Sequence, residues 1–106
     1  MTTIGRVWLC AFACLAPLSA ARAQDTAALR LRSLVATCAQ CHGTDGRAPP
    51  DSVVPALAGL PQATLIERMT AFKDGTRPAT VMTQLARGFS EAQIRQLAAA
   101  FAAPAR

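Results

Sequence analysis

The sequence predicts an all-α domain of three to five helices, and three observations carry that prediction. Apolar residues recur at intervals of three and four wherever a period is clear, and the alternation a sheet would need is absent. Glycine and proline punctuate the chain between the periodic segments, so several short helices are expected rather than one long one. With 106 residues there is room for one small domain and one core.

The chain opens with "MTTIGRVWLCAFACLAPLSAARAQD": a short start carrying Arg6, an uncharged apolar run from Val7, and the small-x-small site Ala21-Arg22-Ala23. This is the pattern of a secretory leader, which gives an expected leader at 1–23 and a mature domain at 24–106. The run is shorter than the roughly 20 apolar residues of a membrane span, and Pro17 interrupts it. No membrane insertion is therefore expected after cleavage. An uncleaved anchor is the alternative, and lipidation a minor one, because Trp8-Leu9 before Cys10 and Phe12-Ala13 before Cys14 do not make the small-residue pattern expected of a lipid-anchored cysteine.

In "DTAALRLRSLVATCAQC", Leu31, Leu34, Val35 and Cys38 recur at helical spacing, with Asp25 or Thr26 available as an N-cap. The helix this predicts ends at the cysteines. From Gly43 to Leu60 glycines and prolines follow one another at short intervals, which reads as loop. "PQATLIERMTAFKDG" predicts a second helix, opened near Pro61, striped by Leu65, Ile66, Met69 and Phe72, and terminated by Gly75. "PATVMTQLARG" predicts a shorter third, stopped by Gly88. In "FSEAQIRQLAAAFAA", Ser90 is the expected N-cap, Gln93 its capping-box partner, and Phe89 and Ile94 a hydrophobic staple. The stripe Ile94, Leu97, Ala98 and Phe101 should face inward.

Formal charge is +5, and loss of Arg6 and Arg22 with the leader would bring it to +3. The basic residues Arg47, Arg68, Lys73, Arg77 and Arg87 are scattered, without a run and with few aromatics for stacking, which excludes a nucleic-acid surface. Steering toward an acidic protein partner is the most such a surface offers.

Export implies an oxidising compartment, yet residues 24–106 hold only Cys38 and Cys41, so no disulfide framework can form. A few short helices without a disulfide bury too little apolar surface to be stable alone, so a bound group should complete the core. "CAQCH" supplies the means. At the end of a helix Cys38 and His42 are four residues apart on one face, with Cys41 three from Cys38. The two sulfurs can grip the edge of a flat cofactor while the imidazole reaches its centre. C-x-x-C-H is the attachment signature of a c-type haem, whose vinyl groups form thioethers and whose iron takes the histidine.

The rival readings fit less well. A thiol-disulfide oxidoreductase wants its first cysteine at a helix N-terminus in a βαβ setting. Zinc wants four ligands, and residues 24–106 contain no second cluster and no second histidine. The sixth position on the iron then has a short list of candidates. Met69 falls on an apolar stripe, where methionine usually packs as core. Met82 lies beyond the Gly75 and Pro78 breakers and is favoured. A Met/His pair raises the reduction potential and suits electron transfer. Lys73 is the alternative if neither methionine binds.

The segments "CAQCHGTDG", "VPALAG", "FKDGTRPATVM" and "LARGFSEAQIRQLAAAFA", in this order, resemble the small bacterial monohaem c-type cytochromes, above all the cytochrome subunit of flavocytochrome c sulfide dehydrogenase. The likeness covers essentially all of residues 24–106. It implies a small cytochrome c-like fold packed around one covalent haem c, with thioethers at Cys38 and Cys41 and with His42 and Met82 on the iron. It implies further that the Pro55 carbonyl accepts the other ring proton of His42 and that the first helix packs on the last. The chain departs from these relatives at Ala100, where they often carry an aromatic, and at Leu60, where they often carry glutamine.

The function expected is that of an exported, periplasmic one-electron carrier with no catalysis of its own. The resemblance implies a redox protein partner, a flavoprotein subunit oxidising sulfide or a related sulfur compound. A free shuttle to a terminal oxidase is the alternative, and a thiol-disulfide oxidoreductase the enzymatic one.

Overall fold

The computed structural model describes the backbone of residues 16–103 and the side chains of residues 24–103. Cys10, Cys14 and the start of the apolar run at Val7 lie outside the described residues. The described residues form four α-helices, α1 (Ala16–His42), α2 (Gln62–Asp74), α3 (Met82–Arg87) and α4 (Glu91–Ala102), with a 3-10 turn at Thr44–Gly46 and no strand among them. The described residues divide after Arg30 into two compact units. The first contributes the N-terminal half of α1, whose residues 24–30 are exposed. No helix among the described residues is long and apolar enough to cross a membrane.

The start of α1 differs from the expected cap at Asp25 or Thr26. The helix is already running from Ala16, because 16–25 is alanine-rich, has no glycine, and has its proline, Pro17, in the first turn, where the missing N–H costs nothing. A helix in progress leaves no free N–H at Asp25 for its side chain to cap.

The later boundaries follow local chemistry. Gly75 takes the left-handed conformation (φ 76°) and its N–H caps Phe72 O at 3.2 Å, ending α2. Ser90 Oγ accepts from Gln93 N at 3.2 Å while Gln93 Oε1 accepts from Ser90 N at 2.8 Å, the reciprocal pair that opens α4. The third helix is a single short run ending before Gly88, and it begins only at Met82.

Leu65, Leu97, Ala98 and Phe101 make the buried cluster of the second unit, with Leu34, Val35 and Cys38 of α1 and Leu57 and Leu60 of the loop packed on it. The 34/35/38 edge of the first helix thus packs on the cluster to which the last helix contributes three of four residues. The whole stripe Ile94, Leu97, Ala98 and Phe101 is buried. The stripe on α2 is different: Leu65 is buried, but Ile66, Met69 and Phe72 are only half-buried. Met69 is therefore not a fully enclosed core residue, because α2 shares its apolar side between the cluster and a less covered face.

Two glycines set the turn after α1. Gly43 has φ 81°, and a Cβ there would stand 2.2 Å from Arg47 O. Gly46 has φ 74°, and a Cβ there would meet Phe101 Cδ1 at 2.8 Å. Gly43→Ala should lower the stability of the haem-loaded protein by at least about 1–3 kcal/mol, read as a fall in melting temperature, since strain and clash fall on one residue. An unchanged melt would mean that the turn can relax.

Candidate functional site

The site begins with the helical register of α1. Its last two turns carry Cys38, half-buried against the cluster, Cys41, exposed, and His42, only 7 % exposed. Both cysteines are free thiols. Gly43 and Gly46 then turn the chain sharply, and Gly46 O accepts from Leu57 N at 2.8 Å and from Ala58 N at 3.1 Å. Gly59 N donates to Phe101 O at 2.9 Å, fastening the same loop to the end of α4. These bonds bring the 52–57 stretch back across the end of α1. Pro55 O lies 2.6 Å from His42 Nδ1.

That contact decides what the imidazole can do. A carbonyl only accepts, so Nδ1 carries the proton and donates, and Nε2 is left with its lone pair for a metal. Burial restricts the ring to this orientation. Burial also pushes the Cys38 thiol above its ordinary range, opposed by the Thr37 hydroxyl 3.9 Å away. A thiol-disulfide oxidoreductase needs the opposite, a thiolate stabilised at a helix N-terminus. Nor do the two thiols and the imidazole gather round a single ion: among the described residues no group of three or more His, Cys, Asp or Glu is placed to hold one.

Met82 is the first residue of α3 and is half-buried. On the same short helix Val81, its cap residue, and Leu85 are 57 % and 48 % exposed, while Ala86 beneath them is fully buried. Apolar side chains left uncovered on α3, with Ile66, Met69 and Phe72 half-buried on α2, suit a large flat apolar ligand. The donor set suits haem c: two thiols in reach of its edge and one imidazole nitrogen kept free. Lys73, the alternative ligand, is engaged elsewhere, its Nζ donating to Phe89 O at 2.5 Å.

A groove of about 570 Å³ is lined by Leu31, Val35, Ala39, Thr44, Asp45 and Ala100. It opens where the sequence has Ala100 in place of the aromatic common among the relatives it resembles. Sequence reasoning did not find Gly46 as the residue under Phe101, nor Lys73 as a donor to Phe89 O. A glycine in a glycine-rich loop and a lysine at a helix end carry no local signal for such distant partners.

The fold and the motif define a small c-type cytochrome, a helical domain built to hold haem through C-x-x-C-H. The chain belongs to the cytochrome c family, whose profile matches residues 32–99, and members of that family carry covalently bound haem c and transfer electrons. It is 41 % identical over 63 residues to the "Thiosulfate dehydrogenase electron acceptor" of Thiomonas intermedia, covering 59 % of this chain and 29 % of that protein. It is 37 % identical over 65 residues to the "Cytochrome subunit of sulfide dehydrogenase" of Chlorobaculum tepidum, covering 61 % of this chain and 57 % of the relative. Among solved structures it resembles cytochrome c4 of Acidithiobacillus ferrooxidans with a TM-score of 0.58 and 37 % identity, over 61 % of this chain and 37 % of that one. The chain thus spans less than two thirds of the length of each of these proteins.

Proposed function

We propose that this chain is an exported one-electron carrier that accepts electrons from a dehydrogenase acting on a reduced sulfur compound. Cys38 and Cys41 hold the haem, His42 binds its iron and Met82 completes the ligation. When bound, the haem supplies a one-electron couple. The residues of the chain do the rest: Pro55 O keeps the Nδ1 proton in place, which fixes the tautomer and raises the basicity of Nε2. The helical end of α1 keeps both sulfurs at a fixed spacing from that nitrogen. The observation that carries this reading is the buried His42 with Nδ1 2.6 Å from Pro55 O, directly after the cysteine pair.

The sulfur-compound donor rests on the two relatives named for thiosulfate and sulfide dehydrogenases. The sulfide dehydrogenase relative supports a subunit of a dehydrogenase, whose other subunit the resemblance read from the sequence makes a flavoprotein, and the thiosulfate dehydrogenase relative supports a separate electron acceptor. Purification from the host distinguishes them. A periplasmic extract should yield a red protein beginning at Gln24, which follows from cleavage after Ala23, and keeping its haem through acid-acetone extraction. A subunit would copurify with a flavoprotein that reduces it on addition of sulfide, and a separate acceptor would emerge alone. A colourless protein with two titratable thiols would overturn the carrier reading, and an N-terminus at Met1 or Thr2 would overturn leader cleavage.

A further inference from the structure

We infer that Lys73 is a positioning residue for Met82, acting by closing the base of the segment that carries it; the inference rests on the reading of Met82 as the iron ligand. Lys73 is the penultimate residue of α2, and Phe89 stands immediately before the Ser90 cap of α4. The 2.5 Å bond from Lys73 Nζ to Phe89 O therefore joins the two ends of the segment 74–88, in which Met82 opens α3.

The other contacts show why this bond matters. The outgoing limb is braced on α2 without Lys73: Arg77 N donates to Ala71 O at 3.1 Å, Thr76 Oγ1 donates to the same carbonyl at 3.2 Å, and the Arg77 guanidinium lies 5.0 Å from the centre of the Phe72 ring. The return limb is bonded mainly to its own neighbours, Gly88 N to Leu85 O and Phe89 N to Ala86 O, so those bonds would survive if the limb swung as a unit. Two apolar anchors hold the limb, the buried Ala86, which offers little area, and Phe89, which packs on the buried cluster at the limb's end and whose carbonyl Lys73 takes. Lys73 adds the one side-chain hydrogen bond, among those found in the described residues, that crosses from α2 to the return limb. It is half-buried, which makes a charge-assisted bond harder for water to replace.

Met82 sits between the two limbs, and its residence on the iron depends on how tightly the segment is held. Lys73→Met keeps the aliphatic stem and removes the donor, whereas Lys73→Arg keeps a donor. Both are examined in the haem-loaded full chain, beside Met82→Ala. With Lys73→Met, amide hydrogen exchange should accelerate about tenfold across 79–89 and stay unchanged across α4, the change expected from loss of a charge-assisted hydrogen bond. Carbon monoxide should bind the reduced protein about tenfold faster, and the weak sulfur-to-iron band of the oxidised protein should diminish. Lys73→Arg should restore most of both. Faster exchange spread equally over α4, or a lower melting temperature with exchange and carbon monoxide rate both unmoved, would overturn the inference. If Met82→Ala itself left the band intact, Met82 would not be the ligand and the positioning role would fall, while the exchange result would still report closure of the segment.

Discussion

Cys38→Ala combined with Cys41→Ala is expected to abolish cooperative folding, as is preparation of the chain without haem. The described residues bury six apolar side chains, Leu65, Ala86, Ile94, Leu97, Ala98 and Phe101, and two of these are alanines. A core of that size in so small a domain rarely supplies more than about 3–5 kcal/mol, and the largest apolar side chains of α2 and α3 are only partly covered. Without the cofactor, Val81 and Leu85 face water. Loss of both thioethers removes the covalent hold and leaves ligation alone to retain the group. Circular dichroism should show a broad, low-amplitude melt, and a hydrophobic dye should bind strongly. A sharp, native-like melt of the haem-free chain would mean that the helices suffice alone.

The helices were legible because their ends are written in local chemistry. Ser90 with Gln93, and Gly75 after the stripe of α2, specify a boundary within four residues of themselves, and both boundaries are found in the fold. The start of α1 was not, because an N-cap candidate such as Asp25 signals a helix start only if the preceding residues leave the helix, and the alanine-rich 16–23 do not. The motif "CAQCH" was legible for a similar reason: its geometry is fixed by one helical turn. The partners of the motif were not. That Pro55 should face His42 came from likeness to a family, since no local rule joins residues thirteen apart across a glycine-rich loop. The Lys73–Phe89 bond had no counterpart in the sequence reading. Met69 shows the limit of periodicity: it falls on the apolar stripe, yet the stripe wraps past the protein core, so position on a helix did not fix its degree of burial.

Met82→Ala should leave haem attached and the helices formed, yet change the iron chemistry outright. Cys38, Cys41 and His42 belong to α1 and its turn, and none of the bonds that place them involves α3, so attachment should survive. Replacing the half-buried first residue of α3 with alanine, a strong helix former, should cost the helix little. The iron, however, would lose the thioether that raises its potential. The oxidised protein should lose its weak sulfur-to-iron absorption, the reduction potential should fall, and carbon monoxide and cyanide should bind readily. Met69→Leu makes the control. It roughly conserves volume on α2, so it should cost less than about 1.5 kcal/mol and leave the spectrum unchanged. The reverse pattern, with the band lost in Met69→Leu and kept in Met82→Ala, would make Met69 the ligand. An unchanged spectrum in both would leave the iron five-coordinate or bound by a group such as Lys73, which would first have to release Phe89 O, and the electron-carrier reading would lose its chemical basis.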